Sequence, residues 1–116
     1  MKRRFRLTKS TDFKRVRRFG KSYAHPLIVL IALPNDQERS RVAVSAGRSL
    51  GIAVERNRAK RILRECIRPL LPVIAPGWDI LLLARKPLSR ARLADASLAL
   101  KKLLSQANLI RVSQNE

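Results

Sequence analysis

Val54-Glu55-Arg56-Asn57-Arg58-Ala59-Lys60-Arg61-Ile62-Leu63-Arg64-Glu65-Cys66-Ile67-Arg68 decides how the rest of this chain is read. Its apolar residues recur at helical spacing and Pro69 and Pro72 close it, so the stretch predicts a helix over residues 54–68. On a helical wheel Ala59, Ile62, Leu63, Cys66 and Ile67 share one face, with Leu70 beyond them. Asn57, Arg61, Arg64 and Arg68 gather on the opposite side. Arg58 and Lys60 border that side, and Arg56 sits in the first turn near the apolar edge. An ordinary solvated face mixes signs, because like charges repel at i,i+4 spacing. Here no acid stands between Arg56 and Arg64. Holding these cations together costs helix stability until a polyanion arrives, and about 22 Å of helix is enough to lie along several phosphates.

Working outward, residues 41–45 alternate, with Val42 and Val44 on one face and Arg41 and Ala43 on the other. They form a strand expected to run antiparallel to an earlier one at residues 27–33, which is uncharged, short and rich in β-branched residues. Pro34-Asn35-Asp36 ends that earlier strand with turn chemistry. Residues 47–51 form a loop before the basic helix, and residues 79–84 are a third core strand after the Gly77-Trp78 corner. A first helix begins at the N-cap pair Ser10-Thr11 and stops at Gly20, with Phe13, Val16 and Arg17 along one side. A last helix runs from Ser89 or Arg90 to Ala107, burying Leu93, Ala96, Leu100, Leu103, Leu104 and Ala107. The order is α-β-β-α-β-α. The class is α+β, a single small domain over residues 1–116 with helices packed on a small sheet.

The chain has 116 residues, 26 of them Lys or Arg against 8 Asp or Glu, for a net charge of +18. Apolar residues make up 46%, too many for a disordered basic tail, so a core is expected. Ten basic side chains fall within residues 1–21, and residues 1–9 are expected to be a flexible basic N-terminus. Residues 22–38 carry no Lys or Arg. A charge excess of this size points to a polyanionic partner. The longest apolar run is seven residues, 27–33, against the ~18 needed to span a bilayer, so nucleic acid is favoured over a membrane. No apolar segment comes after the basic N-terminus as a secretory signal requires, and a transit peptide would not be so integrated with the rest of the domain. The expected compartment is the cytoplasm.

Nothing in the chain assembles into a catalytic constellation. The acids are scattered, and Glu55 and Glu65, the two within the basic helix, share no turn with another acid. His25, the only histidine, precedes Pro26 in a loop without an evident partner and reads as a surface residue. Cys66, the only cysteine, lies on the apolar side of its helix and reads as packing; alone it forms neither an internal disulfide nor a multi-cysteine zinc site. Gly47, Arg48 and Gly51 make either a phosphate nest or an ordinary strand-to-helix turn. With one Tyr, one Trp and three Phe there is no large stacking platform for splayed bases. Phosphate and shape recognition of RNA fits better than base reading.

Arg56-Asn57-Arg58-Ala59-Lys60-Arg61 followed by Arg64-Glu65 resembles the signature helix of the bacterial ribonuclease P protein subunit. Asp12-Phe13, Val16 and Gly20 resemble that family's first helix. Val44-Ser45, Gly51 and Ala53-Val54 resemble the approach to the signature, and residues 79–85 its last strand. The resemblance implies a ribosomal-protein-like fold with a left-handed β-α-β crossover, against the right-handed rule. It implies a protein that assists a catalytic RNA in removing the 5′ leader of precursor tRNA, the RNA using magnesium-activated water. The catalytic-RNA contacts it implies are Arg56, Asn57, Arg58, Lys60, Arg61 and Arg64. Phe13, Val16 and Arg17 would belong to a cleft for the leader, and no protein residue would be catalytic or bind metal. Two positions depart from the pattern: Arg17 stands where the family often has an aromatic, and Arg48-Ser49 where it often has two lysines. The alternative from the residues alone is a non-enzymatic ribosomal or RNA-chaperone protein.

Overall fold

The structure, a computed structural model, describes residues 6, 7 and 9–110. Its elements are α1 (Ser10–Phe19), β1 (Lys21–Ala24), β2 (Ile28–Pro34), β3 (Arg41–Ser45), α2 (Ala53–Ile67), β4 (Trp78–Ala84) and α3 (Leu93–Gln106). Short 3-10 turns at Arg48–Leu50, Arg68–Val73 and Lys86–Arg90 join them. The class is α+β as expected, with one strand more than the sequence pattern predicts. β1 is that extra strand, an exposed edge of four residues whose side chains show no alternation of apolar and polar character.

The four strands lie in the order β1-β2-β4-β3. β4 pairs antiparallel with β2, Leu30 opposite Leu82, and parallel with β3, Val42 opposite Ile80. β3 does run opposite to β2, but the two do not pair, because β4 lies between them. A parallel pair needs a crossover, and α2 supplies it. Gly51 opens that helix from a backbone position, φ +115°, that only glycine adopts without strain.

Since strand side chains alternate between faces, the sheet buries two separate clusters. On one face Leu30, Val42, Ile80 and Leu82 meet Ala59, Leu63, Cys66 and Ile67 of α2 and Ala96, Ala99, Leu100, Leu103 and Leu104 of α3. Each large side chain fully buried there contributes about 2 kcal/mol of transfer free energy. On the other face Ile31, Ala43 and Leu81 meet Val16 of α1 and Leu7. Leu7 is fully buried and its N–H donates to the Val42 carbonyl at 2.9 Å, beside a parallel bridge between Arg6 and Val42. Of the segment expected to be flexible, residues 1–5 and 8 lie outside the described residues.

Three local expectations are corrected. Lys9, not Ser10 or Thr11, is the N-cap of α1, and no side chain caps it; Ser10 already has helical geometry. α3 begins at Leu93, because Lys86–Arg90 closes into a 3-10 turn with Pro87 near its start. Leu93 itself is exposed rather than buried, although Ala96 in the same turn is fully buried.

Candidate nucleic-acid interface

α2 folds as its pattern dictates, and its apolar side disappears into the core while the basic side stays outside. Asn57, Arg58, Arg61 and Arg64 are exposed; Arg56 and Lys60 are half-buried at the two edges. Ile62, on the border, is also half-buried. Glu55 reaches Arg58 at 3.8 Å and Glu65 reaches Arg68 at 3.3 Å. Among the described residues Arg56, Lys60, Arg61 and Arg64 make no ion pair, so their charge is available to a ligand. The Arg56 Nε is buried without a hydrogen-bond partner among those residues. Ahead of the helix, Leu50 anchors the loop in the core and leaves Arg48 and Ser49 exposed at the same end.

α1 lies on the opposite face of the sheet, so the structure does not bring Phe13, Val16 and Arg17 together with the basic residues of α2. The helix crosses the strands. Asp12 near its start stands 3.6 Å from Arg41 of β3, Arg15 bonds Asp79 of β4, and the chain leaves at Gly20 against Ile31 of β2. That exit is tight: a Cβ on Gly20 would come within 2.5 Å of the Val16 carbonyl and 2.6 Å of the Ile31 side chain. Val16 is fully buried beneath the helix and supports it, Phe13 is half-buried, and Arg17 is exposed.

The helix does not cover the whole face. Ala24, Val29, Leu83 and Ser45 form one cross-strand row, each opposite the next in register. Ala24 is exposed and the other three are half-buried, whereas Ile31 and Leu81 in the adjoining row are buried. A strip of apolar sheet therefore remains accessible beside α1, with half-buried Phe13, Val29 and Leu83 around it and the cation of Arg17 nearby on the helix. This suits an extended strand carrying phosphates on one edge.

At the other end of that face sits a group that sequence reasoning placed only as the start of a strand. The Asp79 carboxylate, fully buried, accepts from Arg41 Nε at 2.9 Å and Nη2 at 2.8 Å, from Asn35 Nδ2 at 2.8 Å, and from Arg15. Burial pushes its pKa up, but the bonds from Arg41 and Asn35, the Arg41 charge and the Arg15 bond outweigh it and hold the carboxyl below the ordinary range. The Arg41 guanidinium is correspondingly raised, chiefly by its bond to Asp79. An acid opening an otherwise apolar strand was the available signal, since a buried carboxylate needs a cationic partner.

The remaining candidates are placed plainly. The His25 Nδ1 accepts the Leu27 N–H at 3.1 Å, and the ring lies at a shallow groove with Leu98 and Lys102. Burial and the neighbouring Glu65 raise the Cys66 thiol pKa, which leaves it a packing group with little thiolate. Among the described residues no three or more His, Cys, Asp or Glu side chains are grouped to hold a metal. No described helix is long and apolar enough to cross a membrane.

A family model described as Ribonuclease P matches residues 1–108. The ribonuclease P protein component of Herpetosiphon aurantiacus is 41% identical over 109 residues, covering 94% of this chain and 89% of that protein. The RNase P protein of Staphylococcus aureus superposes with a TM-score of 0.82 at 29% identity, covering 92% of this chain and 98% of the other. That of Thermotoga maritima gives 0.78 at 32% identity, with coverages of 87% and 96%.

Proposed function

The chain belongs to the ribonuclease P protein family, and from that premise we propose that it assists a catalytic RNA in cleaving the 5′ leader from precursor tRNA. The observation that carries this is the exposed cationic side of α2, where Arg61 and Arg64 stand unpaired among the described residues, set on the far side of the sheet from the strip beside α1. Two surfaces facing opposite ways suit a protein that touches two RNA segments at once. Arg56, Asn57, Arg58, Lys60, Arg61 and Arg64 bind the catalytic RNA through phosphates. Phe13 and Arg17, on the support of Val16, receive the single-stranded leader over Val29 and Leu83. With Arg17 where an aromatic is common in the family, leader contact is more electrostatic than stacked.

Endonucleolytic phosphodiester hydrolysis then belongs to the RNA, where magnesium supplies the activated water. Four of the eight acids, Asp12, Asp79, Glu55 and Glu65, are paired with arginines. The protein's part is electrostatic. Its cations offset repulsion between two polyanions and so lower the magnesium needed for their association. We place this work in the bacterial cytoplasm, with the catalytic RNA and precursor tRNA as partners.

The test is precursor-tRNA cleavage at low magnesium with catalytic RNA alone, protein alone and both together. Cleavage only in the mixture supports the reading. No stimulation by the protein would return the chain to a ribosomal or chaperone role.

A further inference from the structure

We propose that Asp79 is a positioning residue, fixing where α1 lies across the sheet and thereby the shape of the strip beside it; this rests on the leader reading above. Val16 is the one fully buried side chain of α1. A helix held by so little apolar contact has no strong preference for one rotation or one depth over its neighbours. Hydrogen-bonded charges are directional, and here they supply what the apolar contact lacks. Arg15 from α1 and Arg41 from β3 converge on the Asp79 carboxylate, and Asn35 from the turn after β2 completes its shell. Asp12 closes the cluster from the helix side, 3.6 Å from both arginines. Two of only eight acids in a chain with 26 cations meet here, in a group of zero net charge.

The rotation that results is the useful one. At about 100° per residue, Arg15 stands about 160° around the helix from both Phe13 and Arg17. Because α1 runs across the strands, its two flanks look along them in opposite directions. Hooking Arg15 to Asp79 at one end turns Phe13 and Arg17 toward the other, four residues along β4, where Leu83 and Val29 lie open. Asp79 is wholly buried and cannot touch RNA itself. An effect of its replacement on leader binding has to pass through the groups it holds, Arg15 of α1, Arg41 of β3 and Asn35, and the Arg15 variants isolate the route through α1.

Holoenzymes reconstituted from catalytic RNA with wild-type, Asp79→Asn, Arg15→Met or Arg15→Lys protein would be compared for binding of one precursor tRNA with and without its leader. We expect wild type to bind the leader-bearing form more tightly. In Asp79→Asn and Arg15→Met that advantage falls at least about fivefold, while affinity for leaderless tRNA and for the catalytic RNA changes by less than about twofold. Arg15→Lys, which keeps a cation for Asp79, recovers most of it. An undiminished advantage in both variants overturns the positioning role and leaves the leader reading standing. Equal losses with and without the leader also overturn it, marking general damage to the fold. Absence of any leader advantage in the wild type overturns the leader reading, and the positioning role with it.

Discussion

Arg41 and Asp79 stand directly opposite each other on the parallel strands β3 and β4, and the guanidinium grips both carboxylate oxygens, at 2.9 and 2.8 Å. Their bonds favour the ionised acid, so the folded pKa lies below that of an unfolded Asp, about 3.9. Between those two values the unfolded chain binds more protons than the native one, and stability rises with pH. Asp79 therefore contributes fully above about pH 5 and its contribution is lost as the pH falls through the folded value. Urea unfolding from about pH 3 to 7 should show Asp79→Asn about 3 kcal/mol less stable near neutrality, the gap narrowing below about pH 4. A gap that does not vary with pH would contradict the assignment.

Salt dependence tests the basic helix. Arg61 and Arg64 are exposed and unpaired among the described residues, whereas Arg58 is shared with Glu55. Each phosphate contact removed should lower the slope of log affinity against log salt by about 0.7–0.9. Replacing Arg58 and Arg61 together by Ala should thus cut the slope for catalytic-RNA binding by nearly two such steps, with Arg61→Ala alone costing more affinity than Arg58→Ala. An unaltered slope would place the RNA elsewhere.

Gly20 is required by space rather than by backbone conformation. Gly20→Ala would drive a methyl against the Val16 carbonyl and Ile31, pushing α1 off β2. The expected loss is about 1–3 kcal/mol, read as a lowered urea midpoint with an unchanged slope.

Leu82 lies fully buried at the centre of the sheet beneath α2 and α3. Leu82→Ala should cost about 2–5 kcal/mol, a large share of the stability of a domain this size. Thermal unfolding followed by circular dichroism checks it, and a loss under about 1 kcal/mol would mean the core is looser than its packing indicates.

How far the sequence could be read depended on whether a feature was local. The basic helix was legible to within a residue at each end, because its charge and apolar faces are both set by spacing along one segment. The strands at 27–33, 41–45 and 79–84 were legible for the same reason. Pairing was not legible from the residues: β3 lies beside β4 rather than β2, and no strand's own composition names its neighbour, so only the family resemblance, with its β-α-β crossover, implied a parallel pair. β1 escaped because an exposed edge strand needs no apolar alternation, and Leu93 misled because helical spacing alone does not say which residue of a first turn is covered. The basic set on α2 was readable as a surface. The Asp79 cluster was not, since it joins side chains 38 and 64 residues apart.

The placement of β4 also governs when this protein can come into being. It is the strand to which both β2 and β3 are bonded, yet it comes after them in the chain by more than thirty residues. Until Trp78–Ala84 has left the ribosome, no strand bonds β2 to β3, and α2 has no complete floor to settle on. A nascent chain therefore carries its densest cation clusters for most of its synthesis without the scaffold that orders them, close to ribosomal RNA. Completion of the sheet therefore waits on a late, long-range insertion.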